Sequence, residues 1–201
     1  MEDVNKALET GVDGINLFFG TSSYLKQFSH GKEIDEIIAI ALKVVEYIKE
    51  QSPGTEVRFS CEDAFRSTED DVFKVFLALE IQGKIDRFGL ADTVGIALPH
   101  DIEEIVGELR KITKRDIEFH GHNDTGCAEI NSYTALKAGA THIDTTILGL
   151  GERNGITSLC GLIAILYKEH REMLGKKYCL KSLKALAELF SELSGVEIPM
   201  N

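Results

Sequence analysis

The sequence predicts an α/β protein built as part of a (β/α)8 TIM barrel. Three observations carry that expectation. Five strand–helix cycles alternate strictly along the 201 residues, the order expected of a parallel sheet wrapped by helices. The strands carry polar residues on one face, which suits a barrel interior better than a doubly wound sheet, whose strands are apolar on both faces. Every residue of chemical interest stands at or just after the C-terminal end of a strand, where α/β active sites lie. No GxGxxG follows the first strand, so a dinucleotide fold has no support.

Glu2 to Thr10 reads as the end of a helix closed by Gly11, and Gly14 to Phe19 as a short apolar strand. Gly20 to Lys32 is rich in Gly, Ser and His and reads as a loop. Ile34, Ile37, Ile38, Ala41, Val44, Val45 and Ile48 recur at helical spacing until Pro53-Gly54. Glu56 to Cys61 is a strand. Thr68 to Gln82 is a helix with Ser67 or Thr68 as N-cap and Gly83 at its end. Asp86 to Ala91 is a strand, and Pro99 to Thr113 a helix with proline in its first turn. Asp116 to His122 is a strand, followed by a helix from about Gly126 to Ala138. Thr141 to Leu148 is the fifth strand, Gly149 to Gly155 a glycine-rich loop, and Thr157 to Met173 a helix. Leu180 to Leu193 is a last amphipathic helix. Residues 1–175 form the barrel portion by this reading, and 176–201 a C-terminal helix and the start of a linker. A closed barrel needs eight units and about 250 residues. Five strands alone leave two open edges, so the chain is a fragment, or a partner supplies the rest.

Composition limits the functional classes. The net charge of −11, with no basic cluster, argues against nucleic acid and anionic membranes as partners. No apolar run approaches the roughly 20 residues of a membrane span. Met1 leads into acidic, polar sequence rather than a signal peptide. The four cysteines are far apart and read as free thiols in a reducing cytoplasm.

The chemistry centres on Ile117 to Ile130, IEFHGHNDTGCAEI. Glu118, His120 and His122 alternate, so on a strand they share one face. Two imidazoles so spaced can reach one metal ion, in a site completed by a carboxylate and open positions for substrate. In the strand from Glu56, Val57, Phe59 and Cys61 face the helices while Arg58, Ser60 and Glu62 face inward. An inward arginine is costly unless paired. It suits a bidentate grip on a carboxylate, or an internal ion pair with Glu62 or a neighbouring strand. Thr93 adds a hydroxyl at the same rim, or a local turn bond with Asp92. The loop Gly149-Leu150-Gly151-Glu152-Arg153-Asn154-Gly155 precedes a helix and fits either an anion against its backbone or a plain tight turn. His30 and Lys32 can reach a phosphate or substrate, or stand solvated in their loop.

The run from Ile117, apolar-x-x-His-x-His-Asn-Asp-x-Gly-x-Ala, resembles a signature of the α-isopropylmalate and homocitrate synthase family of metal-dependent, Claisen-condensing TIM-barrel enzymes. GTSSYLKQFSHGK, VRFSCEDAFRS, LADTVGIALP and HIDTTILGLGERNGIT resemble its homocitrate-forming branch, in order, from about Val4 to Asn201. The resemblance implies a partial barrel of about strands four to eight. It implies condensation of acetyl-CoA with 2-oxoglutarate, or, in sister branches, isopropylmalate, citramalate or hydroxymethylglutaryl-CoA lyase chemistry. By the same resemblance His120 and His122 bind a divalent metal (Mn, Mg, Zn or Co), and Arg58, Ser60 and Thr93 hold the distal carboxylate of 2-oxoglutarate. Glu62 helps proton transfer, and Gly149, Gly151, Glu152 and Arg153 lie near acetyl-CoA. The family's first strand, with its Arg-Asp/Glu motif, has no counterpart here, and the C-terminal segment with further histidines is also absent. The expectation is a chain inactive alone, completed as a homodimer or by a partner with the missing strands. Asn16 stands where an acidic residue is expected in many relatives.

Overall fold

The computed structural model describes residues 1–198. Its organising feature is a sheet of five parallel strands, β1 (Gly14–Gly20), β2 (Glu56–Glu62), β3 (Arg87–Asp92), β4 (Asp116–Gly121) and β5 (His142–Ile143), lying side by side in sequence order. That order, with a helix after each strand, is that of a barrel wall. Helix α1 (Glu2–Glu9) precedes β1. Helices α2 (Ile34–Gln51), α3 (Glu69–Gln82), α4 (Pro99–Ile112) and α5 (Ala128–Ala138) return the chain between strands. Then α6 (Leu159–Lys177) and α7 (Leu183–Ser194) follow β5.

Side-chain alternation divides the sheet into two faces. Val57, Phe59 and Cys61 of β2, Phe88 and Leu90 of β3, and Ile117 and Phe119 of β4 are buried, within the core formed with the helices. Phe76 of α3 meets Phe88 edge-on at 5.1 Å between ring centroids. Each fully buried phenylalanine contributes about 1.5–3 kcal/mol. Residues between them in sequence, Arg58, Ser60, Glu62, Gly89, Glu118 and His120, line the opposite face. The layer between sheet and helices thus holds the fold together, and leaves the inner face to polar groups.

Helix boundaries follow local chemistry. Thr68 caps α3 by accepting from the Asp71 N–H at 3.3 Å, and Gly83 ends it in the left-handed conformation. Pro99 opens α4.

Two segments differ from the sequence expectation. Gly20–Lys32 is not an open loop: Ser22 caps a short helical turn, Ser23–Leu25, which runs into a π-helical turn, Lys26–His30. The serines that suggested a loop include the cap of a helix. The fifth strand is two residues long rather than eight. After Ile143 the chain leaves the sheet: Thr146 N–H donates to Thr157 O, and Leu148 takes a left-handed φ of 58°. The division at residue 175 falls inside α6, which reaches Lys177. The last residues of the expected C-terminal helix and linker start (176–201), residues 199–201, lie outside the described residues.

Among the described residues, no further strand pairs with the outer edges of β1 and β5. Phe18 of β1 is 59% exposed. Among the same residues no helix is long and apolar enough to cross a membrane.

Candidate active site

The inner face begins with a charge ladder. Glu56 pairs with Arg87 at 2.8 Å, Arg87 with Glu118 at 2.9 Å, and Glu118 with Arg58. Arg58 Nε donates to Asn16 Oδ1 at 2.8 Å, and Ser60 Oγ to the same oxygen at 3.2 Å. Glu118 is 4% exposed and tolerates burial because two guanidinium groups face it. Arg58 is therefore paired across the sheet with β4 and β1, not with Glu62. Its Nε and Nη1 are taken, and Nη2 has no protein hydrogen bond among the described residues. A two-nitrogen grip on a ligand requires Arg58 to exchange one of these partners. Burial pulls its pKa down, Asp144 opposing; it remains a cation.

Arg58, Ser60, Glu62 and His120 line one cavity of about 210 Å³ together with Asn16, Phe18, Glu118 and Asp144. Gly89 makes room for it: a Cβ there would overlap Ser60 Oγ. Glu62 lies at the C-terminal end of β2. Burial and the neighbouring Asp63 push its carboxyl up, with His120 and His30 opposing, which favours retention of a proton.

His120 Nδ1 lies 3.1 Å from Asp144 Oδ2. A carboxylate on one ring nitrogen orients the imidazole and leaves the other for a metal. The His122 ring stands 5.1 Å from the His120 ring, although His122 itself lies beyond β4 and bridges to Ile156. Its Nδ1 is buried without a partner. Burial lowers its pKa, with His120 and Arg153 acting in the same direction, so the neutral, ligating form is favoured. Two neighbouring imidazoles, one with an unpartnered buried nitrogen, fit two positions of a divalent-metal site. Among the described residues no third His, Cys, Asp or Glu completes a cluster.

Thr93 does not line the small cavity. Its Oγ1 accepts from the Asp63 N–H at 2.8 Å, across two rim loops rather than within its own turn; its proton remains free to donate. The glycine-rich loop borders a second cavity of about 640 Å³, beside α6 and α7, which Gly149 lines with Asn123, Asn154 and Cys160. Gly151, Glu152 and Arg153 line neither. Arg153 forks onto Asp124. His30 is a structural latch: its Nδ1 accepts from the Lys32 N–H at 3.1 Å, which leaves Nε2 to donate to Gly20 O at 2.9 Å.

Residues 1–190 match the model of the HMGL-like family. The chain belongs to the HMGL-like family. Over its full length it is 49% identical to the mitochondrial homocitrate synthase of Penicillium rubens, covering 42% of that protein. It is 44% identical to the cytosolic isozyme of homocitrate synthase from Saccharomyces cerevisiae, covering 46%. Identity to the 2-isopropylmalate synthase of Methanocaldococcus jannaschii is 35%, with 38% covered. The chain thus spans about half the length, or less, of these relatives. In fold it resembles the HMG-CoA lyase of Bacillus subtilis, with a TM-score of 0.81 at 22% identity over the whole chain and 70% of that structure.

Two residues of this rim, Asp144 and Thr93's partner Asp63, are not legible in the sequence. Asp144 follows a strand shorter than the alternation suggested, so its facing was not legible. Asn16 drew notice as a departure, but its acceptance of both Arg58 and Ser60 needed the β1–β2 register, Asn16 opposite Arg58.

Proposed function

We propose that this chain forms part of the barrel of a homocitrate synthase, an acyltransferase that condenses acetyl-CoA with 2-oxoglutarate. The observation that carries the reading is a guanidinium, Arg58, in the same cavity as His120. A cation there suits a second carboxylate; a branched apolar keto acid would leave it unmatched. The higher identity to homocitrate synthases than to the 2-isopropylmalate synthase supports the same reading.

In this scheme His120 and His122 hold a divalent ion, Mn, Mg, Zn or Co, which supplies Lewis acidity toward a 2-oxo acid. Arg58 Nη2 in the cavity, the Ser60 hydroxyl once it turns from Asn16, and the free hydroxyl proton of Thr93 at the rim hold the distal carboxylate and fix the keto carbon. Glu62 in its carboxylate form takes a proton from the acetyl methyl, and the carboxyl so formed, favoured by burial, gives a proton to the new hydroxyl oxygen; water then cleaves the thioester and CoA leaves. Gly149, Gly151, Glu152 and Arg153 belong to the loop that borders the acetyl-CoA side. The product enters lysine synthesis by the aminoadipate route.

The remaining metal ligand and strands come from another segment, of the same polypeptide or of a partner in a homodimer or split enzyme. Nucleic acid is no partner in this reading. A cytoplasmic setting rests on the four free cysteines; the mitochondrial relatives allow either compartment.

The test is product analysis. The protein containing this chain, with its completing segment, is incubated with acetyl-CoA, 2-oxoglutarate and Mn²⁺. Mass spectrometry should find homocitrate. Condensation with 2-oxoisovalerate or pyruvate alone, or cleavage of 3-hydroxy-3-methylglutaryl-CoA, would contradict the proposal.

A further inference from the structure

Arg153 takes a left-handed φ of 56°, a conformation that side-chain-bearing residues seldom adopt. Something at that position offsets the strain. Its Nε donates to Asp124 Oδ1 at 2.8 Å, and its Nη2 to Asp124 Oδ2 at 3.0 Å and to Thr93 O at 2.6 Å. One side chain after β5 thereby holds the loops that follow β3 and β4.

The surroundings leave little freedom. A Cβ at Gly95 would lie 2.6 Å from Asp124 N and 2.9 Å from His122 O, so the β3 and β4 loops touch through their backbones. Asn123 N–H donates to Gly155 O at 2.9 Å, and His122 N–H to Asp92 O at 3.2 Å. A Cβ at Gly155 would overlap the Gly149 carbonyl oxygen, so the loop can double back only with glycine there. Thr93 Oγ1 in turn meets the Asp63 N–H from the β2 loop. Four rim loops are linked in series: Asp63 to Thr93, Thr93 to Arg153, Arg153 to Asp124. Arg153 contacts two of them with one side chain.

We infer that Arg153 is a positioning residue: its fork on Asp124 and Thr93 O sets the His122 imidazole and the Thr93 hydroxyl at a fixed separation. It acts through its neighbours and not by touching acetyl-CoA. The inference rests on the reading of His122 as a metal ligand. Lysine cannot reproduce the contact, because an ammonium lacks the planar fork that serves a carboxylate and a carbonyl together.

The experiment titrates the full chain, together with its completing segment, with Co²⁺ and reads the visible d–d bands. It compares wild type, His122→Ala, Arg153→Lys, Arg153→Ala, Asp124→Ala and the Arg153→Ala/Asp124→Ala pair. Urea midpoints are measured in parallel. If His122→Ala binds as wild type does, the metal-ligand reading fails, and the clasp is judged by the ¹⁵N shifts of the His122 ring and the amide exchange of Asn123 alone. The expected result is about tenfold weaker Co²⁺ binding with altered bands in Arg153→Lys, in line with the loss of a partner outside the ligand shell. The double variant should be no worse than Asp124→Ala, and the His122 ring shifts should move in every Arg153 variant. Wild-type affinity, bands and ring shifts in Arg153→Lys would overturn the inference. So would additive losses in the double variant, or losses that only follow the urea midpoint.

Discussion

Glu118 shows how much one residue can carry without touching a substrate. It is buried between Arg58 and Arg87, and its alternation with His120 already placed it on the inner face. Which arginines it meets was not legible, because both pairings join strands distant in sequence. Glu118→Gln keeps the shape and removes the charge, leaving two guanidinium groups facing a neutral amide. The expected cost is about 2–3 kcal/mol, below the ~3–5 kcal/mol of a fully buried pair because both arginines retain some exposure. A lowered urea midpoint at unchanged m-value is the expected signal; a wild-type midpoint would show that the ladder is electrostatically slack. Arg153 illustrates the opposite limit of sequence reading. Its motif reads as an anion loop or a plain tight turn, while its hydrogen-bond partners, Asp124 and Thr93, lie 29 and 60 residues upstream, where no local pattern reveals them.

At the scale of elements, periodicity located most of the fold. The helix with apolar residues from Ile34 to Ile48 and the two-faced strand at Glu56 are observed as read, because each signal is repeated several times within one element. The failures fall where one bond outweighs a pattern. Ser22 caps a helix in a segment that reads as loop, and the Thr146–Thr157 bond draws the chain away from β5. Strand packing also hides a constraint at Gly89, which looks like an ordinary strand glycine. A Cβ there would overlap Ser60 Oγ, in a pair of strands whose register sets Ser60 opposite Gly89. Gly89→Ala should therefore destabilise by about 1–3 kcal/mol through overpacking, despite the smaller entropy gain of losing a glycine. Thermal unfolding is the measurement. An unchanged or raised midpoint would mean that Ser60 moves aside freely.

The whole molecule is a section of barrel wall with its chemistry on the concave side. The sheet order β1 to β5, the open edges of β1 and β5 and the exposed Phe18 make the inner cavity one-sided in this chain. Relatives about twice as long account for that geometry if the remaining strands close it. The sequence legibly placed Arg58, Ser60, Glu62 and His120 around one space, because period-two alternation alone decides their facing. Distances and partners depended on the assembled wall. In the proposed function that space, with a cation at one end and an imidazole pair at the rim, selects a dicarboxylic 2-oxo acid. The most direct measurement is the ratio of kcat/KM for 2-oxoglutarate to that for 2-oxoisovalerate, in the assembled enzyme and in its Arg58→Ala variant. Arg58→Ala should lower kcat/KM for 2-oxoglutarate by about 10²-fold, as for a lost charge-assisted contact of ~2–3 kcal/mol, and leave the branched acid unaffected or improved. An equal loss for both acids, or none for 2-oxoglutarate, would contradict it.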